Sequence, residues 1–226
     1  AFLDSDDEIS HFYMEKLFYA TKNKDYDLVG FDHIRLRTNN LPEQVRYNYS
    51  ENLVESFEKI FNCELSSMVT TLLIKKKIFT KNKIYFPELI PDDLNTSYKF
   101  FYYAKSFKKV DCYLYLWKIR KSSLTTEFTK KKCNDLLLIL KNDLYFLIDK
   151  NILNKYKNLY EYRASWLVNH YQINMFKALN FRTLSYFFSL IKKNKFVISK
   201  QNNVLKTLLA LRIKRIINFV KNFQMY

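Results

Sequence analysis

The sequence predicts an α+β protein, and three observations carry that prediction. Residues Tyr113 to Lys200 repeat one rhythm, in which a short apolar run gives way to a longer helical pattern and then to an apolar run again. Ahead of Lys105, apolar side chains recur at helical spacing in separate stretches. Of the 226 residues 48% are apolar, too many for a disordered chain and enough for a core in one or two domains.

The elements follow in order. Ser10 to Ala20 reads as a helix with Phe12, Leu17 and Phe18 on its apolar side, and Ser50 to Phe61 as another with Leu53, Phe57, Ile60 and Phe61 in one stripe. Ser66 to Phe79 is apolar but interrupted by Lys75, Lys76 and Lys77. Pro87 and Pro91 block helix and ladder alike, so residues 87–93 read as a linker or turn, with a boundary between Pro91 and Asp111. Beyond it, Tyr113–Trp117 reads as a strand and Ser122–Leu140 as a helix. Leu144–Ile148 and Tyr160–Val168 read as strands, Thr183–Ile191 as a helix and Phe196–Ile198 as a last strand. That β-α-β-β-α-β order is the ferredoxin-like pattern. Asn203 to Tyr226 reads as an amphipathic helix, with Leu205, Leu209, Ile213, Ile216 and Val220 on one face and Lys206, Lys214 and Lys221 on another. The chain thus divides into a mostly helical N-terminal extension (1–105), a ferredoxin-like domain (111–201) and a basic C-terminal helix (203–226).

The net charge of +16 is uneven. Residues 1–66 hold 7 Lys and Arg against 13 Asp and Glu, whereas residues 67–226 hold 31 against 9. A basic body of that size marks a polyanion binder, usually of nucleic acid, with an anionic lipid surface as the alternative. The acidic front reads as a solvated helix. The preference for Lys, Asn, Phe, Tyr, Ile and Leu fits an AT-rich genome, which weakens any argument from aromatic content alone.

Several function classes lack their residues. A single glycine, Gly30, cannot build a phosphate-cradling loop or a dinucleotide fingerprint. Cys63, Cys112 and Cys133 are widely spaced, with neither a zinc pattern nor a disulfide framework, and read as buried thiols in a reducing compartment. His11, His33 and His170 are isolated, and Asp6-Asp7-Glu8 and Asp92-Asp93 read as solvated loop acids. No run approaches a membrane span, and the acidic start is not a signal or transit peptide. The sequence therefore predicts no enzyme, no metal and no cofactor.

The motifs from Tyr113 to Lys200 resemble, in order and spacing, the small-subunit ribosomal protein number ten (NusE-like) family of the mitochondrial type. Leu116 and Lys118 stand near its first strand step, and Leu144-Tyr145-Phe146-Leu147-Ile148 matches its apolar strand. Tyr160-Glu161-Tyr162-Arg163 matches its Phe/Tyr-Glu-x-Arg motif. Thr183 to Leu190 matches its second helix, and Phe196 and Ile198 its closing strand. Two features depart from the family: only Lys141-Asn142-Asp143 stands where it has a long arm, and Ala164-Ser165-Trp166-Leu167 replaces its basic run.

The resemblance implies a structural constituent of the mitochondrial small ribosomal subunit, in the head and within the matrix. It implies contact with small-subunit rRNA and neighbouring ribosomal proteins, no membrane, and no free monomer in function. Lys118, Arg120, Lys121 and Arg163 are then the first candidates for rRNA phosphate contact. Lys130, Lys131 and Lys132, the pair Lys192 and Lys193, and the group Arg212, Lys214 and Arg215 are further contacts taken as groups. The alternatives are a soluble accessory subunit of a mitochondrial membrane complex and a non-ribosomal RNA-binding factor.

Overall fold

A computed structural model describes residues 1–37, 40–120 and 127–194. The chain runs β1 (Glu8–Ile9), α1 (Tyr13–Thr21), β2 (Leu28–Arg37), β3 (Glu43–Val45), α2 (Leu53–Phe61), β4 (Leu72–Ile74), α3 (Lys76–Asn82), α4 (Asp93–Tyr103), β5 (Phe107–Ile119), α5 (Lys130–Asp149), α6 (Leu153–Lys177) and α7 (Phe181–Lys193). A short 3-10 turn at Val69–Thr71 leads into β4. The protein is α+β, as the sequence predicts.

The sheet has the order β1-β5-β2-β3, with β4 also paired to β2. β2 and β5 lie parallel along their length, from Leu28 opposite Phe107 to Arg37 opposite Ile119, while β1, β3 and β4 pair antiparallel. The ladder shifts register on both sides of Asp32. There the Asp32 carboxylate is buried, accepts from Lys109 Nζ at 2.6 Å and from the Tyr47 amide at 2.9 Å, and so has its charge balanced. Gly30 sits where β2 is most crowded: a Cβ there would lie 3.0 Å from the Phe107 ring and 3.1 Å from that of Tyr49.

One core runs from β2, β4 and β5 through α2 and α4 to α5, α6 and α7. A smaller cluster under α1 buries Tyr13 and Leu17 against Val29, Phe31, Leu114 and Tyr115. Among the described residues no helix is long and apolar enough to cross a membrane.

The strand at Tyr113–Trp117 lies inside β5, and the helix expected at Thr183–Ile191 lies inside α7. The two segments between them are corrected. Leu144–Ile148 is the last part of α5 and Tyr160–Val168 the middle of α6, so the β-α-β-β-α-β order does not form there. Phe196–Ile198 and 203–226 lie outside the described residues.

The physical reason is periodicity. A five-residue apolar run fits a buried strand or a buried helix equally, and its neighbours decide. Leu136, Leu140, Asp143 and Leu147 are buried at intervals of three and four, while Tyr145 and Ile148 face outward. In α6 the buried set Tyr156, Tyr160, Arg163, Ala164, Leu167, Tyr171 and Met175 has the same period. Asp143 and Arg163 are charged members of those stripes, which hides them from a hydrophobicity reading. No Gly or Pro interrupts 130–177, so nothing stops either helix early. The N-terminal part, expected to be mostly helical, holds α1 to α4 and with them the strands β1 to β4.

Candidate functional site

The carboxyl end of β5 faces an open cleft of about 910 Å³. Its walls are the segment Asp4–Asp7, the loop Phe86–Asp93, the strand end with Trp117 and Lys118, and Lys131 in the first turn of α5. Ligands of open α/β sheets bind outside the carboxyl ends of parallel strands, where loops can diverge to form a crevice. β2 and β5 are the one parallel pair among the described residues, and the cleft lies at that end of β5.

Each wall is fixed by the local sequence. Asp7 ties the first segment to β5, with one carboxylate oxygen accepting from the Tyr115 hydroxyl at 2.6 Å and the other from the Lys118 amide at 2.8 Å. The Asp4 amide donates to the same Tyr115 oxygen at 3.3 Å. On the opposite wall, Asp92 caps α4 by accepting from the Asp93 amide at 3.1 Å, and Asp93 accepts from the Val69 amide at 3.4 Å. The loop is held to α5 through Asp135, which accepts from the Ile90 amide at 3.2 Å and from Lys131 Nζ at 2.7 Å.

The charges do not balance. The lining carries Asp4, Asp6, Asp7, Glu88, Asp92 and Asp93 against Lys118, Arg120 and Lys131. All three cations are engaged: Lys118 pairs with Glu8, Arg120 Nε lies 3.6 Å from Asp6, and Lys131 binds Asp135. Asp4, Asp92 and Asp93 have no cationic partner among the described residues. Burial pushes the Asp93 carboxyl up to about 7; the like charges of Asp92 and Asp4 add to this, and the Val69 hydrogen bond opposes it. Burial also raises Asp4, followed by the charges of Asp7, Asp6 and Asp92. Two acidic segments far apart in sequence therefore share one electrostatic site.

Trp117 supplies the aromatic wall. Its ring lies 5.3 Å from the Arg35 guanidinium and 6.0 Å from the His33 ring, which packs on Tyr47 behind it. Burial, then Arg35, holds His33 down to about 4, so its imidazole is neutral at physiological pH. Among the described residues no group of three His, Cys, Asp or Glu side chains is placed to hold a metal ion.

Sequence reasoning passed over the acids of this site as solvated loop residues. The available signal was their position: Asp4 follows Phe2-Leu3 and Asp92 follows Leu89-Ile90-Pro91, so each acidic segment ends an apolar stretch in a basic protein.

The residues expected to contact rRNA scatter. Lys118, Arg120 and Lys131 line the cleft, already held by carboxylates. Lys130 lies 5.2 Å above the Tyr186 ring, and Lys192 and Lys193 are exposed in the last turn of α7. Lys132 is buried, donates to the Glu127 carbonyl at 3.2 Å and sits 4.8 Å from the Phe128 ring centre. Arg163 is 1% exposed and bonded to Asp143 at 2.8 Å, out of reach of any phosphate. Lys121, Arg212, Lys214 and Arg215 lie outside the described residues.

No family model and no curated protein matches this chain. Among solved structures it is similar to TarS 1–349 of S. aureus in complex with UDP-GlcNAc, at 15% identity and a TM-score of 0.49, over 76% of this chain and 56% of that one. A second structure of TarS 1–349 aligns at 18% identity and a TM-score of 0.41, over 62% and 39%. The chain thus spans little more than half the length of the TarS structures at most.

The ribosomal identification is corrected: two of the segments that carry its register are helical, and its pin, Arg163, is a core residue that no rRNA phosphate or ribosomal neighbour can reach. The ribosomal keywords and partners go with it, as do the two alternatives. The premise of the non-enzymatic expectation is corrected too: the acids it set aside as solvated loop residues meet in one cleft.

Proposed function

We propose that the cleft binds a sugar and that the protein is an enzyme of glycosyl transfer from an activated donor. The observation that carries this reading is a set of carboxylates without cationic partners among the described residues, Asp4, Asp92 and Asp93, lining the cleft together with Trp117. Ionised carboxylates only accept hydrogen bonds, and the cleft's own cations are occupied. Such a wall suits the hydroxyl donors of a sugar. The indole face suits the apolar face of a pyranose ring. The volume of about 910 Å³ lies at the upper end of ordinary ligand pockets, so there is room for a donor sugar and an acceptor together.

Asp93 supplies the base. A carboxyl that titrates at about 7 is divided between its two forms at neutral pH, the condition that favours general acid–base catalysis. An acceptor hydroxyl gives its proton to the Asp93 carboxylate, and its oxygen bonds to the anomeric carbon. The bond from that carbon to the leaving oxygen breaks, and the leaving group keeps the electron pair. No step is assigned to a metal.

UDP-GlcNAc is the first donor to try, with a panel of hydroxylated acceptors. Release of UDP that depends on acceptor and is lost in Asp93→Asn supports the reading. Release at the same rate in Asp93→Asn, or from no nucleotide sugar in a panel, overturns it.

A further inference from the structure

We infer that Lys77, Lys81 and Lys105 form a second ligand site, a pocket for a phosphate group, at the end of the sheet opposite the cleft. Three strand ends meet there. Leu28 opens β2, Phe107 opens β5 beside it, and Ile74 closes β4 on the other side. β5 is 13 residues long, so about 40 Å of strand separates this end from the cleft. Between the strand ends and α3 lies a pocket of about 290 Å³, lined by Asp27, Lys75, Lys77, Ile78, Lys81, Asn82, Tyr103 and Lys105.

The floor satisfies itself. The Asp27 carboxylate accepts from the Lys105 amide at 2.7 Å, its amide donates to Ser106 Oγ at 3.0 Å, and its carbonyl accepts from the Lys75 amide at 3.0 Å. Lys75 answers the two nearby acids, pairing with Asp25 and lying 3.8 Å from Asp27. That pairing leaves three cations at the mouth. Lys77 and Lys81 stand one turn apart on α3, Lys105 faces them from the entry to β5, and all three are exposed. None has a carboxylate within ion-pair distance among the described residues.

Like charges four residues apart on a helix repel, and a third ammonium at the same mouth adds to the cost. A multiply charged anion removes that repulsion and takes up lysine donors otherwise spent on water. Lysine binds phosphate as a flexible point charge without the fixed fork of arginine, which suits a pocket closed by three long side chains. The small volume selects a phosphate monoester or inorganic phosphate over a nucleic-acid duplex. Such a phosphate belongs either to a soluble metabolite or to a lipid headgroup, and the chemistry of the pocket is the same for both.

The test uses the full chain. Inorganic phosphate is titrated by amide NMR, and sedimentation is followed with vesicles of phosphatidylcholine with and without phosphatidic acid. Saturable shifts at residues 77–82 and 103–105 are expected. The triple variant Lys77→Ala/Lys81→Ala/Lys105→Ala should weaken phosphate at least ten-fold, and Lys76→Ala, an exposed neighbour outside the lining, should change it less than two-fold. If phosphatidic acid vesicles also bind with the same lysine dependence, the source is lipid; if phosphate binds and vesicles do not, it is soluble. The inference is overturned by the absence of saturable phosphate binding, by equal loss in Lys76→Ala, or by vesicle binding that ignores the three lysines. Asp93→Asn should leave phosphate binding unchanged, which separates this result from the fate of the cleft.

Discussion

The Arg163 cluster and the acidic cleft bury charge in opposite ways. Arg163 is fully compensated: Nε donates to Asp143 at 2.8 Å, one terminal nitrogen to the Phe61 carbonyl at 2.8 Å, and the other to the Leu94 carbonyl at 2.6 Å. Its guanidinium also lies 5.0 Å from the Phe61 ring centre. One side chain on α6 thereby fastens α5, the end of α2 and the start of α4. In the cleft, Asp4, Asp92 and Asp93 are crowded and partly desolvated without a cationic partner among the described residues, and burial pushes the Asp93 carboxyl up to about 7. A balanced cluster holds helices together, whereas an unbalanced one is costly to the fold, and that cost is the ground on which a ligand is proposed for it.

The sharpest way to break this contrast is at the balanced site. Arg163→Ala leaves Asp143 buried and alone and should cost about 3–5 kcal/mol in urea denaturation. The double change Arg163→Met/Asp143→Leu should recover most of that, since an apolar pair of similar volume carries no desolvation penalty. A single variant within 1 kcal/mol of the parent, by the scale of exposed pairs, would put Arg163 on the same footing as a surface residue. At the unbalanced site the effects should invert. Asp93→Asn should lower glycosyl transfer by about 10²- to 10⁴-fold, the range lost with a general base, while the fold survives.

The pH dependence sharpens the comparison further. Folding raises the Asp93 carboxyl from about 3.9 to about 7, so the folded state holds the proton more tightly than the unfolded one. The stabilisation from that proton is present in full below pH 4 and lost as pH rises toward 7. Asp93→Asn should therefore raise the melting temperature relative to the parent at pH 8 and match it below pH 4, and parent activity should rise over the interval in which stability falls. Trp117→Ala should raise KM for donor or acceptor with kcat nearly held, the sign of lost uniform binding. The smallest effect is expected at Arg120→Ala, within about 1 kcal/mol in stability, because its pair with Asp6 is exposed.

The sequence was most legible where one apolar stripe was complete. α7 and α2 have Leu184, Phe187 and Ile191, and Phe57, Ile60 and Phe61, with no buried charge in the stripe, and both were readable as helices. α5 and α6 place Asp143 and Arg163 on their inner faces, which broke the pattern into short runs that imitate strands. β2 was missed because Asp32, His33 and Gly30 interrupt a strand that is buried on both faces over most of its length. The cleft was illegible for another reason. Its acids come from two segments brought together by the β1–β5 pairing, the Asp7 bonds to Tyr115 and Lys118, and the packing of Phe2 on Phe86, and no local spacing encodes that meeting.

Ligand-observed saturation-transfer NMR with UDP-GlcNAc on the full chain tests the central claim, that the unbalanced carboxylates hold a sugar. The account predicts the strongest saturation on the pyranose protons, and its loss in Asp4→Asn/Asp93→Asn with the amide spectrum otherwise folded. Saturation confined to the uridine protons, or pyranose saturation unchanged in the double variant, would contradict it.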